Sequence, residues 1–130
     1  MTDQFRLEFS SDPRFISTAR LFAAAVARYY DCDEETVDDI KLAISEACTN
    51  AVKADERSLP VGILARPEES AVEFRVVDQA GGFEEPAPGA NGEELVEGGI
   101  GLQIIRSLFP EAVVEPNPEG GTIVRFSVPR

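Results

Sequence analysis

Glu46 and Asn50 stand four residues apart in the run Asp39-Ile40-Lys41-Leu42-Ala43-Ile44-Ser45-Glu46-Ala47-Cys48-Thr49-Asn50-Ala51. A helix brings residues at i and i+4 onto one face, so a carboxylate and a carboxamide would lie side by side. An amide oxygen is a hard, neutral ligand suited to Mg²⁺, and a carboxylate one turn away can accept a proton from a hydroxyl or water. Further on, Asp78 closes the apolar run Val72-Glu73-Phe74-Arg75-Val76-Val77. A buried carboxylate at that strand end could accept a hydrogen bond from an adenine amino group, and Gly82 would let the backbone approach a flat ring. Gly98-Gly99-Ile100-Gly101-Leu102 then opens a helical pattern. Free N–H groups at a glycine-led helix start attract anions such as phosphate. Each feature alone also has a plain reading, as a solvated helix face, a turn-capping Asp or a helix hinge.

The elements that must position these residues follow from periodicity. Gln4 to Ser10 alternates apolar and polar, as a half-buried strand does. Asp12-Pro13 reads as a cap and first helical position, with Phe15, Ala19, Phe22, Val26 and Tyr29 at helical spacing up to about Tyr30. A second helix starts near Asp33, its apolar stripe being Val37, Ile40, Ile44, Ala47 and Ala51. Glu46 and Asn50 lie roughly 100–140° from that stripe, on a polar side shared with Asp39 and Lys53 and turned away from the main core contact. Leu59 to Arg66 and Ala71 to Asp78 form a hairpin about the turn Arg66–Ser70. Regular structure then stops for about twenty residues, and a stretch of that length is either functional or disordered. Ile100 to Phe109 is a third helix with Ile100, Ile104, Ile105 and Leu108 as its apolar face, ended by Pro110. Ala112 to Glu115 and Thr122 to Val128 close the chain as strands. This order predicts an α+β fold, a two-layer sandwich whose mixed, mostly antiparallel sheet is covered on one face by helices.

The chain has 130 residues, which fits one domain over 1–130. Its formal net charge is −12, which argues against nucleic acid as a partner and either serves solubility alone or favours a basic partner surface. No histidine is present, which excludes histidine-based proton relays and phosphohistidine. The 2 cysteines, Cys32 and Cys48, have no metal-ligand spacing and read as reduced thiols. No run approaches a membrane span, and the first residues lack the features of a secretory signal, so a cytoplasmic protein is expected.

The three motifs occur in the order helix Glu-x-x-x-Asn, strand-end Asp-x-Ala-x-Gly, glycine-rich stretch, Gly-x-Gly helix. In this the chain resembles the GHKL ATPases of the Bergerat fold, and most of all their short stand-alone anti-sigma factor serine kinases. The segment Glu46-Ala47-Cys48-Thr49-Asn50-Ala51-Val52 and the ending Gly120-Gly121-Thr122-Ile123-Val124-Arg125-Phe126 carry the likeness. The resemblance implies ATP and Mg²⁺ as cofactors, Glu46 as general base and Asn50 as magnesium ligand. It implies adenine recognition by Asp78, with Ala80 and Gly82 at the ring and Thr122 nearby. It places Gly99, Ile100, Gly101 and Leu102 along the phosphates, with an ATP lid over about 79–98; charge counting adds Lys53 as a further candidate nucleotide contact. The partners it implies are a sigma factor and a STAS-domain anti-sigma factor antagonist, and it suggests a homodimer.

A second reading is a regulatory module of the same fold that binds nucleotide or protein with little or no kinase activity. Ala54 stands where the family often has histidine, and Ala80 where it has the first glycine after the Asp. Glu84, Glu85, Glu93, Glu94 and Glu97 make the expected lid acidic, with no Lys or Arg between Gln79 and Gly98. Lys53, Arg57 and Arg106 are the basic residues that could offset it. The ATPase segment of a histidine kinase is the third reading, and it would need its phosphoacceptor on another chain.

Overall fold

In a computed structural model, the protein is described over residues 4–54, 59–79 and 98–130. The order is β1 (Phe5–Ser10), a 3-10 turn (Pro13–Phe15), α1 (Ile16–Tyr29), α2 (Glu34–Ala54), β2 (Pro60–Pro67), β3 (Ala71–Val77), α3 (Gly98–Leu108), β4 (Val113–Pro116) and β5 (Thr122–Pro129). The expected succession of strands and helices is therefore present. One local difference is that Asp12-Pro13 starts a 3-10 turn before α1. The Asp12 side chain accepts from Arg14 N at 2.9 Å and also holds the Arg14 guanidinium.

The strands form a single sheet in the order β1-β2-β3-β5-β4. Every neighbouring pair is antiparallel, which corrects the expected mixed sheet. The reason is topological. After α3, the β4–β5 hairpin lays its second strand against β3, and the strand that would have run parallel to β3 is left at the edge. Within β3 and β5 the pairs are Val76↔Val124, Phe74↔Phe126 and Val72↔Val128.

Alternate residues of the strands face the helices, as the period of two requires. Val61, Ile63 and Ala65 of β2, Val72, Phe74 and Val76 of β3, and Phe126 and Val128 of β5 are buried. They join Ala19, Ala23 and Ala27 of α1 and Val37, Ile40, Ile44, Ala47 and Ala51 of α2 in one core, so the stripe read from the sequence is the buried one. The small residues of α1 let it lie close against α2. The opposite sheet face carries charged pairs, Arg75–Glu73 at 2.5 Å and Arg125–Glu115 at 3.1 Å.

The turn between α1 and α2 is closed by backbone bonds. Asp31 adopts φ 61°, Cys32 N donates to Ala27 O at 3.0 Å, and Asp31 N donates to Arg28 O at 3.0 Å. This pattern ends a helix in the left-handed conformation. Asp33 then caps α2, its Oδ1 accepting from Thr36 N at 2.8 Å.

The aromatic stack Phe74–Phe126–Phe109 anchors the far end of α3. Ring centroids are 5.6 Å apart for Phe74 and Phe126 and 4.5 Å apart for Phe109 and Phe126. Ile105 is wholly buried in the same core. A side chain so enclosed contributes about 1.5–3 kcal/mol through removal from water. With its later turns held in this way, α3 delivers its first turn to the polar side of α2.

Candidate nucleotide site

Two groups of contacts gather the residues singled out by the sequence. The first lies where α3 begins. A Cβ placed on Gly101 would stand 2.8 Å from Asn50 Nδ2, 3.2 Å from Asn50 Oδ1 and 3.2 Å from Glu46 Oε2. Glu46 and Asn50 are thus on one side of α2, as their spacing requires, and both are half-buried. Their face turns away from the sheet, but it is not left to solvent, because the first turn of α3 packs there. That cover is a tertiary contact that the periodicity of α2 does not reveal.

The carboxylate and amide oxygens of this group meet the α3 backbone at a residue without a side chain. A helix start carries N–H groups that have no intrahelical acceptor, and it holds partial positive charge. Oxygen donors of this kind suit Mg²⁺, which binds through one or two protein ligands with waters and phosphate oxygens completing its shell. No group of three His, Cys, Asp or Glu side chains that could hold a metal occurs among the described residues. Gly99 and Ile100 fall in the first turn of α3, and Leu102 is buried at 8% exposure. Lys53 is exposed in the last turn of α2, and Arg106 is exposed on α3.

The second group surrounds Asp78, directly after the last residue of β3. Asp78 is the one buried charged side chain among the described residues, at 9% exposure. Its N–H donates to Thr122 O at 3.0 Å, and its carbonyl accepts from Asn117 Nδ2 at 2.9 Å. A Cβ on Gly121 would stand 2.6 Å from Asp78 Oδ1 and would also meet Asp78 O. Gly121 has φ +89°, a conformation open to glycine and costly for other residues. Thr122, half-buried at the start of β5, therefore lies beside Asp78 through a backbone bond.

Asp78 precedes the connection 80–97 and Gly98 follows it, so the two groups stand at its two ends. Ala80, Gly82, Arg57 and nearly all of the expected lid lie outside the described residues. Among the residues that are described, sequence reasoning missed Asn117 and Gly121. Asn117 lies between the two closing strands with no spacing that ties it to Asp78, and Gly121 was legible only as part of Gly120-Gly121-Thr122. Strand pairing brings both to Asp78. A cavity of about 230 Å³ opens on the charged face of the sheet, lined by Arg6, Glu8, Gly62, Leu64 and Val77 among others. It includes none of the predicted site residues.

Residues 9–128 match the sequence model of a histidine kinase-like ATPase domain. The serine-protein kinase RsbW of Bacillus pumilus is 30% identical over 129 residues, covering 88% of this chain and 80% of that protein. The serine-protein kinase RsbW of Bacillus subtilis is 28% identical over 133 residues, covering 93% of this chain and 82% of that protein. A crystal structure of the RsbU and RsbW domains of a Mycobacterium tuberculosis protein has the same fold, with a TM-score of 0.72 at 20% identity. The match covers 97% of this chain and 32% of that one, so the chain spans about a third of the longer protein. No helix among the described residues is long and apolar enough to cross a membrane.

Proposed function

The chain belongs to the histidine kinase-like ATPase family, and from that membership we propose that it is an ATP-dependent protein serine kinase that also acts as an anti-sigma factor. It phosphorylates a serine of a small STAS-domain antagonist and, in the alternate complex, sequesters a sigma factor in the cytoplasm, working as a single domain and as a homodimer. The observation that carries this reading is the approach of Gly101 to Glu46 and Asn50, which unites a base, an amide oxygen and a helix start. The relatives named as serine-protein kinases support the choice of reaction.

In the mechanism, Glu46 accepts the proton of the attacking serine hydroxyl. The serine oxygen forms a bond to the γ-phosphorus as the bond from that phosphorus to the β-γ bridging oxygen breaks, leaving ADP. Asn50 would hold Mg²⁺ through its amide oxygen, and the bound ion would supply neutralisation of the phosphate charge. The N–H groups around Gly99, Ile100, Gly101 and Leu102 orient the phosphates, and Lys53 adds a positive charge at the rim. Asp78 accepts from the adenine amino group, with Ala80 and Gly82 along the ring and Thr122 beside it. Phosphoryl transfer depends mainly on positioning and charge stabilisation, so this set is chemically sufficient. The net charge of −12 steers the protein towards a basic partner surface and away from nucleic acid.

The test is transfer of labelled γ-phosphate to the cognate antagonist. Glu46→Gln should lower the transfer rate about 10²–10⁴-fold, the usual worth of a general base, while ATP still binds. Undiminished transfer by Glu46→Gln would remove Glu46 from the role of base, and failure of the wild-type protein to bind ATP would end the kinase reading.

A further inference from the structure

We propose that Asn117 is a positioning residue for base selection: its side chain fixes the peptide that follows Asp78, and so sets the Asp78 carboxylate to discriminate adenine from other purines. The inference rests on the reading of Asp78 as the adenine acceptor. The sheet ladder between β3 and β5 ends at the pair Val77↔Ile123. Asp78 is therefore one residue beyond the last ladder pair, and its orientation has to be secured in another way.

Among the described residues two bonds to its backbone contribute, both from the β4–β5 hairpin. Asp78 N donates to Thr122 O at 3.0 Å, and Asn117 Nδ2 donates to Asp78 O at 2.9 Å. The peptides before and after the Asp78 Cα are thus both tied to the same turn, which leaves the side chain little freedom beyond its own torsions. Asn117 is itself held in place. Its N–H donates to Gly121 O at 3.0 Å, its carbonyl accepts from Gly120 N at 2.9 Å, and its Oδ1 accepts from Glu119 N at 3.2 Å. Pro116 and Pro118 flank it and fix two further backbone angles. The carboxamide is used at both ends, its oxygen to shape the turn and its nitrogen to reach across to Asp78.

This arrangement separates base reading from phosphate binding. The phosphate group of contacts is built on α2 and α3, whereas Asn117 bonds to Asp78 and within its own turn. Loss of the Asn117 donor releases the Asp78–Gln79 peptide and blurs the position of the acceptor oxygens. A site built to hydrogen-bond a polar substrate group discriminates strongly only while its own group is correctly aimed.

The experiment measures equilibrium binding of ATP and of inosine triphosphate to the full chain with Mg²⁺. Inosine triphosphate carries an oxygen in place of the adenine amino group. Asn117→Asp keeps size and the turn acceptor but removes the donor, and Asn117→Ala removes both. Each should weaken ATP about tenfold and leave inosine triphosphate within about twofold, so that the preference for ATP collapses. Asn117→Ser retains a donor and should keep part of the preference. It also supplies the measurement if the other two variants melt below the assay temperature. Equal weakening of both nucleotides, or an unchanged preference across the series, overturns the role of Asn117. A different result marks failure of the underlying reading: wild-type protein with no preference for ATP, or Asp78→Asn with the preference intact, removes Asp78 as the base acceptor.

Discussion

Gly121 and Asp78 are in such close contact that a Cβ at position 121 would stand 2.6 Å from Asp78 Oδ1. The buried carboxylate occupies the space that any other residue at 121 would fill. The closing hairpin and the end of β3 therefore form one unit, and the candidate base-reading acid depends on a glycine more than forty residues away in the chain.

Gly121→Ala should cost about 2–4 kcal/mol, combining backbone strain at φ +89° with overpacking against a backbone carbonyl that has no room to retreat. Denaturant titration measures this directly. A loss below about 1 kcal/mol would mean that the hairpin can move away from Asp78 without cost.

Gly101→Ala should behave differently. The atoms in its way are the ends of the Asn50 and Glu46 side chains, at 2.8 and 3.2 Å, and these can rotate. Alanine also favours a helix interior over glycine by about 1 kcal/mol. Stability should remain within about 1 kcal/mol of wild type, while misplacement of both side chains lowers phosphoryl transfer about 10²-fold. Matched melting curves and transfer rates would check both halves of this expectation.

Asp33→Ala removes the side-chain cap of α2. The backbone N–H of Thr36 holds the Asp33 carboxyl below its ordinary value of 3.8. A carboxyl lowered by folding adds stability above its unfolded value, and that stability is lost as pH falls through the folded value. The variant should therefore melt a few degrees lower than wild type near pH 7. The gap should close as pH drops below 3.8. A gap that stays constant down to pH 2 would show that the charge on the cap contributes nothing.

The 2 cysteines should be slow to react in the folded protein. Burial pushes the Cys48 thiol up to about 12. Cys32 is raised as well, first by partial burial and then by Asp33 and Asp31. Since the thiolate is the nucleophile, a disulfide reagent at pH 8 should modify Cys32 slowly and Cys48 only on unfolding, when both react. Prompt modification of Cys48 in folded protein would contradict its burial on the core-facing side of α2.

Legibility in the sequence was uneven, for physical reasons. The stripe Val37, Ile40, Ile44, Ala47 and Ala51 was readable because a helix repeats its core contacts at a fixed period, and those residues are buried. The strands of the β2–β3 hairpin were readable from alternation, and their register pairs Ile63 with Val76 and Ala65 with Phe74. Glu46 and Asn50 could be paired because their relation is set within one helix. Asn117 could not be linked to Asp78, since the bond between them spans thirty-nine positions and depends on which strand of the closing hairpin lies beside β3.

The sequence by itself determined the elements, the α+β class and the local pairing of a carboxylate with a carboxamide, because all of these follow from periods of two and 3.6 residues within short segments. Tertiary structure alone decided that the sheet is antiparallel throughout and that β5 takes the place beside β3. It also decided that the first turn of α3 covers Glu46 and Asn50, and that Asn117 and Gly121 close upon Asp78. Those outcomes depend on how separate elements pack and pair across long stretches of chain, and no local spacing encodes such contacts.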